Sequence, residues 1–283
     1  MKISSISIGK EIEIVRQVEC GYIRYALFDF DGTISLIREG WQGVMIPMMV
    51  EIIMQTPTHE SKTEIEKVVK QYVTLLTGKQ TIYQMIQLCE EIRKRGGLPK
   101  KPQFYKHQFL DLLTERIHER ILGLEEKKFM PEDYMVPGSL EMIQYLNERK
   151  ITCFLASGTD EKFVFKEVRL LGIDKYFQGI FGALDDYKNF SKKMVIDRII
   201  NQYNLSGREF VTFGDGYVEI EDAKSVRGIA VGIASNEATR KGLDEWKRSR
   251  LIDAGADIIA PDFKEYQQLG EYLLTKRRTH ESR

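Results

Sequence analysis

The sequence predicts an α/β protein with a doubly wound, Rossmann-like parallel sheet and a helical segment inserted into it. After Pro137 the chain alternates short apolar runs with amphipathic segments, which is typical of parallel strands joined by helices. Between residues 35 and 134 the helical spacing recurs without any strand alternation. We therefore expect a core formed by residues 1–34 and 135–283, and a helical domain formed by residues 35–134.

Short strands are predicted at the start of the chain. Isoleucine recurs at roughly alternate positions on either side of Gly9 and Lys10, which predicts a strand pair joined by a turn. These isoleucines are Ile3, Ile6, Ile8, Ile12 and Ile14. The apolar run at 25–30 is typical of a strand buried within a parallel sheet, and it ends at polar residues.

Helical spacing dominates the insertion. Predicted helices cover 64–76, 81–95 and 104–122, each followed within two residues by a glycine. The apolar stretch at 41–54 is interrupted by Gln42, Pro47 and Glu51, so it does not have the form of a membrane span. Its methionines are expected to lie in a helix core, although a substrate-contact surface is the alternative. They are Met45, Met48, Met49 and Met54.

The remainder of the chain alternates between the two patterns. Apolar runs predict strands, and segments with apolar residues three or four positions apart predict helices. The strands are predicted at 151–156, 180–182, 210–213, 229–233 and 257–260. The helices are predicted at 139–149, 160–171, 192–203, 218–226 and 263–274.

Composition excludes several classes of protein. Lys and Arg together number 42, as do Asp and Glu, and this balance argues against nucleic-acid binding. The three cysteines are far apart and form no CxxC pair, which argues against a disulfide framework or a zinc cluster. The N-terminus lacks the apolar core of a signal peptide, and no run predicts a membrane span. A cytoplasmic protein without membrane partners is the expectation.

The strongest chemical signal follows the strand at 25–30. Asp29 and Asp31 lie two residues apart at the end of this strand, where their charges would repel each other unless a cation or a shared proton is present. Gly32 permits a turn whose N–H groups can point at an anion, and Thr33 adds a hydroxyl donor. A calcium loop would need further acids at alternate positions, whereas Ile34 follows. The pattern favours catalysis over a structural turn.

This segment resembles the first motif, DxDGT, of the haloacid dehalogenase superfamily. Candidates for that superfamily's three further motifs follow in the correct order. Ser157 ends the next core strand, and Lys192 begins a predicted helix. Asp215 and Glu219 fit the fourth motif, GDGxxD, with Glu in the final position. The inserted helices match the position of the superfamily's cap domain.

Two assignments within these motifs have rivals. Lys193 follows Lys192, but Val195 and Ile196 stand three and four residues after Lys192, as the superfamily pattern prefers. Glu219 keeps an oxygen ligand but has a longer side chain than the usual Asp, so it binds a metal either directly or through water. The neighbouring acids Glu221 and Asp222 are its rivals.

The resemblance implies a magnesium-dependent phosphatase. Asp29 would be the nucleophile, and Asp31 would act as acid and then as base. Magnesium would be held by Asp29, the Asp31 backbone carbonyl and Asp215, with Glu219 as the remaining candidate. The residues expected to bind the phosphate are Gly32, Thr33, Ser157, Gly158 and Lys192, of which Ser157 and Lys192 also count as catalytic. Asp31 argues against the dehalogenase branch, which lacks this second aspartate.

The substrate is expected to be a small phosphorylated metabolite, with a sugar phosphate preferred because a helical cap restricts access by large molecules. Arg38, Glu39 and Trp41 follow the first motif closely and could reach it, or could equally serve as surface and packing residues. A phosphomutase acting on a small sugar phosphate uses the same motifs and is the first alternative. A binding protein that keeps the fold without turnover is the second.

Overall fold

The computed structural model describes residues 6–184 and 186–276; Ile3, assigned above to the first strand, lies outside these ranges. The strands are β1 (Ile6–Ile8), β2 (Ile12–Ile14), β3 (Tyr25–Phe28), β4 (Thr152–Asp160), β5 (Phe177–Ala183), β6 (Phe210–Gly214), β7 (Ile229–Ile233) and β8 (Ile258–Ala260). The α-helices are α1 (Gln42–Met54), α2 (Lys62–Leu75), α3 (Thr81–Lys94), α4 (Pro102–Glu125), α5 (Ser139–Glu148), α6 (Glu161–Leu170), α7 (Lys192–Gln202), α8 (Tyr217–Ser225), α9 (Glu245–Asp253) and α10 (Tyr266–Leu274). Within the ranges given, no helix is both long enough and apolar enough to cross a membrane.

All eight strands belong to one sheet, in the order β1-β2-β8-β7-β6-β3-β4-β5. The six strands from β8 to β5 run parallel, and the β1–β2 hairpin joins the sheet antiparallel to β8. Strand β3 lies between β4 and β6, where the strand order reverses. Ligands bind outside the carboxyl ends of the strands at such a switch point. The predicted doubly wound α/β class is confirmed.

The central strand β3 is buried on both faces. Ala26 and Phe28 belong to one apolar core cluster, whereas Tyr25 and Leu27 belong to another. Side chains alternate between the faces of a strand, so both faces of the sheet are covered here. The apolar run therefore fixes β3 at the centre of the sheet, and the polar residues that follow it emerge at the carboxyl edge.

Helices α1 to α4 form the helical insertion between β3 and β4. Helix α2 begins with a capping box, in which Ser61 Oγ accepts from the Glu64 N–H and the Glu64 carboxylate accepts from the Ser61 N–H. Helix α4 begins at Pro102, whose fixed φ suits a first helical position. The insertion buries apolar side chains in the same cluster as Phe28.

The two chain segments that connect the insertion to the sheet lie side by side. The Leu36 N–H donates to the Tyr134 carbonyl and the Val136 N–H donates to the Ile34 carbonyl, each at 2.8 Å. Arg120 of α4 donates to three backbone carbonyls of the first segment, at 2.8, 2.9 and 3.4 Å. The insertion is thus attached through a paired ribbon at the residues where the sequence pattern changes.

Most predicted elements lie within a few residues of their observed bounds, with three differences. Strand β4 continues to Asp160, four residues beyond the predicted end, because it pairs with β5 as far as Ala183. Strand β5 covers Phe177–Ala183 rather than 180–182. Helix α9 was not predicted, since Leu251 is its one buried residue and its apolar periodicity is weak.

Candidate active site

A cavity lies at the carboxyl edge of the sheet, between the strand ends and the helical insertion. Six of the predicted site residues line it, namely Asp29, Asp31, Gly32, Gly158, Lys192 and Asp215. Thr33, Ser157 and Glu219 are buried and do not line the cavity. The sheet topology therefore brings the four sequence motifs together, although three of the predicted residues do not contact the cavity directly.

Asp29 and Lys192 form a buried ion pair on the floor of the cavity, which is the part lined by Asp29, Asp31, Lys192, Asp215, Glu237 and Lys247. Lys192 Nζ lies 2.6 Å from Asp29 Oδ1, and it also pairs with the buried carboxylate of Glu219. Lys192 is the first residue of α7, whose start is fixed by Ser191 Oγ accepting from a backbone N–H. The rival Lys193 pairs with Asp197, and its side chain is more than one third exposed.

Burial and neighbouring charge change the acidity of Asp29. The pKa of Asp29 is raised from 3.8 to about 7, chiefly by burial; the charges of Asp215 and Asp31 contribute to the rise, and Lys192 opposes it. A carboxylate in this environment is stabilised by any additional positive charge near it. The rival acids Glu221 and Asp222 do not line the cavity.

Two hydroxyl groups hold Asp31. Ser157 Oγ and Thr159 Oγ1 each donate to Asp31 Oδ2 at 2.9 Å, and the Thr159 N–H donates to Ser157 Oγ at 3.0 Å. Asp31 Oδ1 is buried without a hydrogen-bond partner among the described residues, with Arg38 Nε at 3.9 Å. The two hydroxyl groups therefore fix the orientation of the Asp31 carboxyl group. Thr159 was not predicted, although it belongs to the same strand end as Ser157.

Gly32 lets the first and fourth motifs approach each other. Its φ is +76°, and a Cβ there would lie 2.3 Å from Asp215 Oδ2. Only glycine combines this backbone conformation with such close contact. Ser235 Oγ donates to the Gly32 carbonyl at 2.8 Å, which ties the turn to the end of β7.

Lys247 and Glu237 complete the floor and were missed by the sequence analysis. Lys247 Nζ lies 2.7 Å from both Asp215 Oδ2 and Glu237 Oε1. Burial alone would lower the pKa of Lys247, but the charges of Asp215 and Glu237 raise it, so the ammonium is held firmly. Lys247 lies in the first turn of α9, where Asp244 accepts its backbone N–H. This N-cap aspartate was the available sequence signal for α9.

Arg38 and Glu167 form a second buried ion pair at the edge of the cavity. Arg38 Nη2 lies 2.7 Å from Glu167 Oε1, and its Nε donates to both Glu167 oxygens. Arg38, Glu39 and Trp41 all line the cavity, as the sequence analysis allowed. Of the four methionines assigned to a helix core, only Met45 lines the cavity and Met54 is exposed.

A loop of the helical insertion reaches the strand ends. A Cβ on Gly158 would lie 3.2 Å from the Lys79 carbonyl, so the loop between α2 and α3 rests on the end of β4. Gln80 Nε2 donates to the Phe190 carbonyl at 2.6 Å. Arg250 of α9 donates to the carbonyls at the end of α2, at 2.6 and 2.7 Å. The cavity is therefore closed on this side by direct contacts between insertion and sheet.

The network of ion pairs that includes the floor has the charge and the donor atoms that suit a hard cation. In this network the carboxylates outnumber the cationic groups: the acids are Asp29, Asp31, Glu167, Asp215, Glu219 and Glu237, and the cations are Arg38, Lys192 and Lys247. Among residues 6–184 and 186–276, no three side chains of His, Cys, Asp or Glu are grouped to hold a metal. Two carboxylates, one backbone carbonyl and water remain as a ligand set, which suits magnesium.

A curated protein is similar in sequence to part of this chain. A pyrophosphatase PpaX from Listeria welshimeri is 23% identical over 124 residues, which are 44% of this chain and 57% of that relative. The match therefore spans little more than half of the relative's length.

Solved structures share the fold at low identity. A predicted phosphoglycolate phosphatase from Haemophilus somnus superposes with a TM-score of 0.60 at 14% identity, covering 88% of this chain and 98% of the other. A putative β-phosphoglucomutase from Thermotoga maritima superposes with a TM-score of 0.55 at 17% identity, covering 88% and 99%.

The family profile matches a longer part of this chain than the pyrophosphatase does. The sequence profile of the haloacid dehalogenase-like hydrolases matches residues 23–227, which include all four motifs and the helical insertion. The profile thus covers the strands and loops that form the cavity floor, except for the segment that carries Glu237 and Lys247. The chain belongs to the haloacid dehalogenase-like hydrolase family.

Proposed function

We propose that the protein is a magnesium-dependent phosphatase that hydrolyses a small phosphomonoester through an aspartyl-phosphate on Asp29. The observation that supports this best is the convergence of Asp29, Asp31 and Lys192 on one cavity, with Lys192 Nζ 2.6 Å from Asp29 Oδ1. A carboxylate nucleophile, a second carboxyl for proton transfer and an ammonium for the phosphoryl oxygens are the groups that this reaction needs.

Asp29 attacks phosphorus, and the bond between phosphorus and the leaving oxygen breaks. Asp31 protonates that oxygen, so the alcohol leaves as a neutral molecule. In the second half of the reaction Asp31 takes a proton from water, whose oxygen attacks phosphorus and releases Asp29 and inorganic phosphate. Ser157 and Thr159 both donate to Asp31 Oδ2 and so orient the carboxyl group for these proton transfers.

Magnesium would be held by the Asp29 carboxylate, the Asp31 carbonyl and Asp215, with water completing its shell. When bound, it supplies the positive charge that lets an anionic carboxylate approach an anionic phosphate. The acidic excess of the floor supports this assignment. We assign Glu219 to holding Lys192 rather than to metal binding, because its carboxylate pairs with that ammonium.

Lys247 acts on Asp215 as a positioning residue. Its ammonium binds Asp215 Oδ2 at 2.7 Å and is itself fixed by Glu237. The second oxygen of Asp215 is then the one presented to the metal. An aspartate oriented in this way loses less conformational entropy when the metal binds.

The helical insertion, residues 35–134, would form a cap domain over a core of residues 1–34 and 135–283. The paired ribbon at Leu36 and Tyr134 supports this division, as do the cavity-lining residues that the insertion contributes. A cap of this kind excludes water from the phosphoryl transfer and selects the alcohol. The substrate would be a phosphorylated small metabolite.

A phosphomutase is the second candidate, and the structural likeness to a putative β-phosphoglucomutase is the observation in its favour. Both reactions proceed through phosphorylated Asp29, and they differ in whether water or a sugar hydroxyl accepts the phosphoryl group. The fold similarity alone does not separate them, because phosphatases superpose equally well.

The decisive experiment measures phosphate release from a panel of phosphorylated metabolites with magnesium, with chelator, and with the Asp29→Asn variant. We expect release that requires both magnesium and Asp29. Isomer interconversion followed by NMR, with little free phosphate, would establish the mutase instead. Release by Asp29→Asn at the wild-type rate, or no release from any compound, would refute the phosphatase.

A further inference from the structure

The roof of the cavity differs chemically from its floor. We define the floor as Asp29, Asp31, Lys192, Asp215, Glu237 and Lys247, and the roof as Trp41, Met45, Gln84, Phe109, Leu113 and Trp246. The sequence contains two tryptophans, and both belong to the roof. Five of the six roof side chains are apolar or aromatic, so the part of the substrate that meets them is desolvated.

The apolar part of the roof is preformed. Met45, Phe109 and Leu113 are at most 3% exposed and belong to the apolar core cluster that the insertion shares with the sheet. Trp41 and Trp246 remain partly exposed, with Trp246 at 48%. Large planar side chains that retain exposed area in a cavity can cover the face of a ring, at little entropic cost.

Gln84 is the one buried polar side chain of the roof, and half of its amide is unpaired. It is 3% exposed, and its Nε2 donates to the Leu76 carbonyl at 3.3 Å. A carbonyl can only accept, so this bond fixes the orientation of the amide. Gln84 Oε1 then has no partner among the described residues. A buried acceptor without a donor is unfavourable, and a ligand in this cavity can supply the donor.

A polyol does not match this surface. Each hydroxyl placed against the apolar roof would lose its hydrogen bonds to water, and one amide oxygen can replace only one or two of them. Two further buried polar residues of the insertion line the cavity, but both have partners: Arg38 binds Glu167, and Ser35 Oγ accepts from the Ile37 N–H. The remaining polar residues that the insertion contributes are half-buried or exposed, where water reaches them; they are Glu39, Gln42, Thr77, Lys79 and Thr81. The buried part of the roof thus offers apolar contact and one acceptor.

We infer that the preferred substrate is a phosphomonoester whose alcohol carries a flat, mainly apolar ring with one hydroxyl or N–H group that donates to Gln84 Oε1. This inference rests on the proposed phosphatase function and adds the class of the leaving alcohol. It replaces the sugar phosphate that the sequence favoured, because the roof has too few buried acceptors for several hydroxyls.

A matched set of substrates tests the inference. The probes are 2-(3-hydroxyphenyl)ethyl phosphate, 2-(4-hydroxyphenyl)ethyl phosphate, 2-phenylethyl phosphate and glucose 6-phosphate. We expect kcat/KM for at least one hydroxylated ring to exceed that for the unsubstituted ring by about tenfold, which corresponds to one added hydrogen bond. Glucose 6-phosphate should be the poorest substrate. Equal or better hydrolysis of glucose 6-phosphate would overturn the inference.

The variant Gln84→Met removes the acceptor while nearly keeping the side-chain length. The preference for the hydroxylated ring over the unsubstituted ring should fall from about tenfold to about onefold, chiefly through KM. The matched control is Gln87→Met in the same helix, because Gln87 donates to Glu91 and does not line the cavity. A preference that survives Gln84→Met, or that Gln87→Met also abolishes, would contradict the role of Gln84.

Binding without turnover separates this inference from the proposed function. Because both tryptophans line the cavity, their fluorescence reports occupancy by non-hydrolysable 3-arylpropylphosphonates. Selective binding of the hydroxylated phosphonate, lost in Gln84→Met, supports the inference even where no ester is hydrolysed and the phosphatase proposal fails. Hydrolysis without any preference between ring and polyol supports the phosphatase and refutes the inference.

Discussion

The floor and the roof of the cavity are stabilised by different interactions. Floor residues are charged groups in ion pairs, such as Lys192 with Asp29 at 2.6 Å and Lys247 with Asp215 at 2.7 Å. Roof residues are apolar, and their one buried amide, Gln84, is only half satisfied. Most floor residues emerge from strand ends, whereas most roof residues belong to helices of the insertion.

This difference suggests that the floor residues carry out the reaction and that the roof residues select the substrate. Charges in a buried network depend on one another, so the loss of one floor residue disturbs its neighbours and affects every substrate. Apolar contacts are less directional, so a change in the roof alters which alcohol fits without altering the reaction. The predictions below test this separation, beginning with the largest expected effect.

The largest effect is expected for Asp29→Asn. An amide cannot act as the nucleophile, so kcat should fall by at least about a thousandfold for every phosphomonoester, whatever its alcohol. Phosphate release under saturating substrate measures this loss. A loss confined to phosphates of one class of alcohol would show that Asp29 selects the substrate rather than carrying out the reaction.

The same variant tests the environment of Asp29 through stability. Because the pKa of Asp29 is raised to about 7, the folded protein keeps a proton that the unfolded chain loses between about pH 4 and 7. Without metal, the free energy of unfolding of the unmodified protein should therefore decrease over this range. Asp29→Asn lacks this titration, so denaturant unfolding should show a smaller decrease.

A smaller effect, about a hundredfold in kcat/KM, is expected for Lys247→Met. Asp215 loses the ammonium that orients it, and the magnesium concentration for half-maximal activity should rise for all substrates alike. Lys264→Met is the control, since Lys264 also pairs with an aspartate but lies about half exposed outside the cavity. The magnesium requirement is measured by titration calorimetry and by activity. An unchanged requirement would show that Lys247 does not position Asp215 for metal binding.

In the roof, Trp41→Leu should raise KM about tenfold for phosphates of aromatic alcohols. The planar surface is lost, while kcat should change by no more than about twofold because the floor is intact. Steady-state kinetics with 2-phenylethyl phosphate separate the two parameters. A fall in kcat far beyond twofold would show that Trp41 affects the reaction itself and not only the binding of the alcohol.

The smallest effect is expected for Thr159→Val. Asp31 Oδ2 loses one of two hydroxyl donors and keeps Ser157, so kcat should fall about fivefold, as for one neutral hydrogen bond. Thr212→Val provides the control, because the Thr212 hydroxyl is buried in β6 without a hydrogen-bond partner among the described residues. No difference between the two variants would mean that the second donor is redundant.

The strand ends of the floor were predictable from sequence because their signal is local. Asp29, Asp31 and Asp215 directly follow apolar runs, and parallel strands bring such positions to one edge. Lys192 was predicted through the resemblance to the family's third motif, because a lysine at a helix start is by itself typical of a solvated surface residue. Ser157 lies at the predicted strand end, but its hydroxyl binds Asp31 rather than facing the cavity.

The other residues depend on contacts that no local pattern encodes. Lys247 lies in a charged helix with one buried residue, so its proximity to Asp215 follows from the packing of α9. Gln84 lies inside a correctly predicted helix, yet a polar residue on an apolar helix face gives no indication of its partner. Met54 shows the same limitation, since helical spacing assigned it to the core and the structure exposes it.

The ribbon that joins the insertion to the sheet limits how the insertion can move, and therefore where the cavity can open to release product. Its two segments are bonded to each other at Leu36 and at Val136, so sliding one past the other would break backbone hydrogen bonds. Bending the ribbon preserves them, so we expect the insertion to open by rocking about the ribbon. Because Gln80 and Arg250 join the end of α2 and the following loop to the rest of the protein, we expect their contacts to break when the cavity opens on that side. Inorganic phosphate would then depart past Lys79, whose side chain lines that rim and is exposed to solvent.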